Sequence, residues 1–239
     1  MIAVAPQRRG VEVLPGALHA RGYPLVERIA LVIELRKIAD ERGRIVVDTE
    51  KHRETIPQCG IGRVDHMLNF MQEKALDSGI TFHVTLDCKV DNIIPAQIDE
   101  DSFCTLLADI IDNAIIATKA NKGRHILLNV GMIKKYYALH VYDSGIDFTR
   151  EVLAGYGIEQ LTTHENEGGS GIGLMQTNEI LNKCNGSVFI DEFSQDGGLY
   201  TKRFSVVFNR KHQYILYTKR SDEDISYLRK RADIIIVKK

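Results

Sequence analysis

Seven consecutive residues, Gly168-Gly169-Ser170-Gly171-Ile172-Gly173-Leu174, constrain the fold more than any other stretch of the chain. Glycines at the alternate positions 169, 171 and 173 remove the side chains that keep a ligand away from the backbone, and they permit positive φ. Met175 to Leu181 contain neither Gly nor Pro and mix apolar and polar residues at helical spacing, so the loop is expected to run into a helix. A glycine-rich turn feeding a helix N-terminus directs free N–H groups and a positive dipole end at an anion, most often a phosphate. A flexible surface turn has the same composition, so residues elsewhere must decide between the two.

The chain has 239 residues, enough for one large domain or two small ones, with the apolar and charged fractions of a globular protein that buries a core. A net charge of -1 gives no overall steering toward nucleic acid or membranes, and no nucleic-acid partner is expected. Charge is nevertheless uneven. Between Asp87 and Asn113 stand seven acidic residues against one Lys, whereas Lys202 to Lys239 is basic. Both are expected to be solvated surface, apart from Asp109 and Asp112. The four cysteines lie far apart with no C-x-x-C pair, which suits a reducing, cytoplasmic setting. No uncharged apolar run reaches transmembrane length, and Met1 to Ala5 is too short for a signal sequence.

Pro6, Gly10, Pro15 and Gly16 punctuate the first 18 residues too often for a helix. Leu25 to Ala39 is a strongly apolar helix that needs a partner, either the core or a second copy of itself. After an irregular connector, Val64, Met67, Leu68, Met71 and Ala75 mark a second helix that stops at Gly79. Thr81 to Cys88 alternates as a half-buried strand, and a polar link then ends in capping residues for a helix over Ser102 to Ala120. Strands follow at Arg124 to Val130 and Tyr136 to Tyr142, with a poorly periodic segment from Phe148 to the glycine loop. The remainder reads as strands at Ser187 to Asp191, Lys202 to Phe208, Gln213 to Thr218 and Asp233 to Val237, with a short helix near Asp224 to Arg231. The expected class is α+β, with helices segregated from antiparallel strands.

Two stretches join the glycine loop as candidates for chemistry. In the helix Ser102 to Ala120, Asp109 and Asn113 are four apart and share a face, with Asp112 beside them. Asn is a mediocre helix former, and a carboxylate next to an amide oxygen suits Mg²⁺, which takes few protein ligands. A plain solvated helix face reads the same way. Asp143-Ser144-Gly145 ends a strand and places a carboxylate at the mouth of the sheet, where it can accept a hydrogen bond from an exocyclic amine; as a bare turn it is unremarkable.

The three stretches occur in a fixed order: Asp109-Ile-Ile-Asp112-Asn113-Ala114, Asp143-Ser144-Gly145-Ile146, and Gly169-Ser-Gly171-Ile-Gly173-Leu174. Over roughly residues 80 to 210 this resembles the GHKL-type ATP-binding domain of sensor histidine kinases, type II topoisomerases, mismatch-repair ATPases and heat-shock chaperones. Val64-Asp65-His66-Met67-Leu68-Asn69 is similar to the linker helix of the quorum-sensing-type kinases. The resemblance implies a two-layer α/β sandwich of the Bergerat type over 79–239, with a C-terminal β extension. It further implies an N-terminal helical region over 1–78 for dimerisation and phosphoacceptance.

It implies ATP and Mg²⁺ as ligands, with Asn113 and Asp109 on the metal and Asp143 on adenine. Gly145 would let the base approach, and Gly169, Gly171, Gly173 and Leu174 would surround the phosphates. Asp109 stands where kinases carry Asn and the ATPases a catalytic Glu, which leaves it between metal ligand and general base. Asp147 replaces the second Gly of Asp-x-Gly-x-Gly. The phosphoacceptor implied is His19, in His19-Ala-Arg-Gly-Tyr-Pro24-Leu25, although Ala20 replaces the usual acidic neighbour; His52 is second. A homodimer and a response regulator are the implied partners. The alternative is a degenerate, nucleotide-binding regulatory module that acts by binding a partner.

Overall fold

The computed structural model describes residues 55–158, 172–193 and 198–239. All the described residues belong to one compact unit, 51–239.

Helix α1 (Gly62–Asp77) starts where Asp65 turns its carboxylate back to accept from the Cys59 and Gly60 amides, and it ends at Gly79 with φ +71. Val64, Leu68, Met71 and Ala75 recur every three to four residues and are all buried. Strand β1 (Thr81–Leu86) follows. Helix α2 (Glu100–Ala120) is set by its N-cap, Asp99, whose carboxylate accepts from Ser102 N at 2.8 Å, as the capping residues predict. Its buried face, including Phe103, Leu107, Ile110, Ile111 and Ala114, packs on α1 and on strands β2 (His125–Ile133) and β3 (Tyr136–Asp143).

The poorly periodic stretch after Phe148 contains a short helix, α3 (Arg150–Gly155), capped by Thr149 Oγ1 on Val152 N. Six residues are too few for a periodic signal. Helix α4 (Ile172–Cys184) packs against α2 and begins earlier than the apolar pattern suggests, so that Gly173 lies in its first turn. Strands β4 (Ser187–Glu192), β5 (Lys202–Val207) and β6 (Tyr214–Thr218), helix α5 (Asp222–Leu228) and strand β7 (Ile234–Lys238) complete the unit.

The sheet has seven strands in the order β1-β2-β3-β5-β4-β6-β7. It is mixed rather than antiparallel: β1 runs parallel to β2, β4 to β6 and β6 to β7, and the other three pairings are antiparallel. The parallel pairs β1/β2 and β6/β7 are each joined through a helix, as parallel neighbours require. Ile126, Leu128, Leu139, Val141, Val188, Ile190, Phe204 and Val206 face the helices and form one core with α1, α2 and α4. Alternation sends His140 and Ser205 to the opposite face, where both are buried and His140 Nδ1 lies 2.8 Å from Ser205 Oγ.

The basic C-terminal stretch is solvated surface only in part: Arg210, Lys211, Lys219, Arg229, Lys230, Lys238 and Lys239 are exposed, whereas Lys202 is buried and Arg203, Arg220 and Arg231 are half-buried. Arg220 pairs with Glu192 and donates to the Phe148 carbonyl, and Arg231 donates to the Ala154 and Tyr156 carbonyls and stacks 4.9 Å from the centre of the Tyr214 ring. Lys239 pairs with Asp191. The β6-α5-β7 unit folds back on the sheet edge, where Arg220, Arg231 and Lys239 help to fasten it. This chain topology brings them beside acceptors far away in sequence, which composition does not reveal.

Candidate functional site

Burial of Ile110, Ile111, Ala114 and Ile115 fixes the roll of α2 and leaves Asp109, Asp112 and Asn113 half-buried on its rim. Asp109 Oδ2 and Asn113 Nδ2 are buried atoms with no hydrogen-bond partner. Burial, then the Asp112 charge beside it, pushes the Asp109 carboxyl up to about 6. Lys74 Nζ lies 2.6 Å from Asp112 Oδ1 in an ion pair that is not aligned as a hydrogen bond. Gly173 sits against this rim: a Cβ placed on it would lie 3.7 Å from Asn113 Nδ2 and 3.7 Å from Asp109 Cβ.

Asp143 ends β3 fully buried, and burial pushes its carboxyl up against the pull of Lys202. Its Oδ1 accepts from Gly145 N at 2.8 Å and from Lys202 Nζ at 2.6 Å. Gly145 is required by close packing: a Cβ there would meet the Ala117 carbonyl carbon at 2.5 Å and Asp143 Oδ1 at 2.7 Å. Thr201 Oγ1 closes the turn from the other side, 2.6 Å from the Gly145 carbonyl oxygen.

One cavity joins the two ends. Ile110, Asn113, Asp143, Phe148, Leu174 and Lys202 line it, and its volume is about 20 Å³, room for about one water. Asn113, Asp143 and Leu174 thus line it directly, while Asp109 and Gly173 lie next to Asn113 and Gly145 next to Asp143. Gly169, Gly171, His19, His52 and the pairing helix Leu25 to Ala39 lie outside the described residues.

Sequence reasoning missed Lys202 and Arg220. A lysine at a strand start reads as surface, yet the β3/β5 register sets Lys202 directly opposite Asp143. Only that register, which no local pattern encodes, could have flagged it.

The donor set suits a hard cation shared with a phosphate, since a carboxylate oxygen is buried without a partner beside an amide. Among the described residues, no group of three or more His, Cys, Asp and Glu is placed to hold a metal by itself. A ligand would have to supply the remaining oxygens.

Residues 98–211 match the family model described as "Histidine kinase-, DNA gyrase B-, and HSP90-like ATPase", so this part of the chain is similar to a GHKL ATP-binding domain. Solved structures with a similar fold include the nucleotide-free catalytic domain of histidine kinase ThkA, at 17% identity and TM-score 0.47, covering 61% of this chain and 89% of that one. The mycobacterial sensor histidine kinase MprB is similar at 16% identity and TM-score 0.47, covering 61% and 92%. No curated protein matches the chain. Among the described residues no helix is long and apolar enough to cross a membrane.

Proposed function

We propose that this chain is the Mg-ATP-binding module of a cytoplasmic histidine kinase in a two-component system, of the quorum-sensing-type subgroup. The observation that carries the reading is that Asn113 and Asp143, thirty positions apart in the chain, line one cavity with Leu174, while Asp109, one helical turn before Asn113, holds a carboxylate oxygen without a partner.

In this reading Asp143 meets the base, Asn113 and Asp109 hold the metal end, and Gly169, Gly171 and Gly173 present backbone amides to the phosphates. A bound Mg²⁺ neutralises charge on the triphosphate. What the chain's own groups add is positioning in a half-buried site, where donors and charges act more strongly than in water. An imidazole nitrogen of His19 attacks the γ-phosphorus. The bond from that phosphorus to the ADP oxygen breaks, and ADP leaves with its electron pair. Residues 1–78 supply this acceptor and a homodimer interface, 79–239 the catalytic domain, and a response regulator receives the phosphoryl group.

Incubation of the full chain with γ-labelled ATP and Mg²⁺ tests this directly. Acid-labile label on wild type that is absent from both Asn113→Ala and His19→Gln supports it; ATP binding without any label removes the kinase step. One observation favours a second reading, a regulatory module that binds nucleotide without transferring phosphate: the carboxylate assigned to the base is already paired with Lys202.

A further inference from the structure

Lys202 is the least expected residue of the cavity. Its side chain is 2% exposed and that of its partner Asp143 4% exposed, and their charged atoms stand 2.6 Å apart. The ammonium also donates to the Ile146 carbonyl and lies 5.5 Å from the centre of the Phe148 ring. The space left beside it holds about one water, far less than a purine needs.

A free buried carboxylate at this place distinguishes purines sharply. It attracts the exocyclic amine of adenine and repels the carbonyl oxygen that guanine carries at the same position. Paired with an ammonium, the same carboxylate has no net charge to offer, and Oδ1 is already spent on two donors. The ammonium in turn is a donor for a carbonyl oxygen.

We infer that Lys202 is the residue that sets base selectivity in this pocket: it competes with the incoming base for Asp143, so that nucleotide enters by displacing it and adenine is only weakly preferred. The inference rests on the nucleotide-binding reading of the site. Asp147 gives the displaced ammonium somewhere to go. Asp147 is an exposed residue of the turn beside the pocket, and its carboxyl, pushed up by partial desolvation and the Glu192 charge and pulled down by Lys202 and Arg220, stands within electrostatic reach of both cations. A glycine at this position would provide no such second partner.

The test is calorimetric titration of the full chain with ATP and with GTP, each with Mg²⁺. Wild type is expected to bind both weakly, with affinities within about threefold of each other, and Lys202→Thr to bind ATP at least about tenfold tighter and to prefer it over GTP by about tenfold or more. The double variant Asp143→Asn with Lys202→Thr leaves no buried charge unpaired, so it folds even where the single variant does not. It should bind both nucleotides more tightly than wild type and without preference. Wild type that already prefers ATP by more than about tenfold, or Lys202 variants that bind no tighter, would overturn the inference while leaving Asn113-dependent binding intact. Failure of all three proteins to bind either nucleotide would overturn the nucleotide reading and this inference with it.

Discussion

Arg220 ties the C-terminal β6-α5-β7 unit to the wall of the cavity, which makes Arg220→Met an informative perturbation. The guanidinium makes contacts of 2.6 to 3.0 Å with both Glu192 oxygens and donates to the carbonyl of Phe148, a cavity-lining residue. The side chains are 16% and 8% exposed. Methionine retains the apolar stem and removes the charge, so Glu192 is left with Thr218 Oγ1 as its hydroxyl donor. Removing one partner of a buried pair costs about 3–5 kcal/mol, and residual exposure of Arg220 places this case at the low end, about 3 kcal/mol. For a unit of this size that corresponds to a fall in Tm of roughly 6–12 °C. Adding Glu192→Gln, which still accepts from Thr218 but carries no charge, should recover at least about half of the loss. Urea and thermal unfolding of wild type, single and double variants measure both quantities. A single variant within about 1 kcal/mol of wild type, or a double variant no better than the single, would refute the argument that this pair is buried and coupled.

Gly145→Ala forces a methyl against the Ala117 backbone and the Asp143 carboxylate, and a loss of about 1–3 kcal/mol in urea unfolding is expected; a neutral variant would mean that the turn relaxes freely. His140 carries a pH dependence, because burial, aided by the Arg203 charge, pulls its imidazole down to about 4. Between about pH 4 and the ordinary value of 6.5 the unfolded chain binds the proton and the folded one does not, so stability falls as pH drops through that window and is fully present above it. His140→Gln should flatten the slope by up to about 1.4 kcal/mol per pH unit, and an unchanged difference across the window would contradict the burial argument.

The helix holding Asp109 and Asn113 was legible because its determinants are local: Asp99 caps it, and apolar spacing from Phe103 to Ala114 fixes the buried face, although Ala117, expected in the same stripe, is only half-buried. Asp143 and Gly145 were legible for the same reason, as a strand end followed by a turn. What escaped were features set by register and return topology. The Asp143–Lys202 pair joins residues 59 apart in the chain across neighbouring strands, and Arg220 and Arg231 reach acceptors 28 to 77 residues away. Their residue types alone predict solvent, and their burial follows only once β6 pairs with β4. The mixed sheet escaped for a related reason: strand alternation is the same in parallel and antiparallel neighbours.

The central claim is that Mg-ATP binds in the cavity that Asn113 and Asp143 share. Titrating Mg-ATP into the full chain and into Asn113→Ala, with unfolding curves recorded to establish that both fold, tests it most directly. Saturable binding by wild type and a loss of at least about tenfold in affinity for Asn113→Ala is the predicted result. Binding that Asn113→Ala leaves unchanged, or no binding by folded wild type, would contradict it.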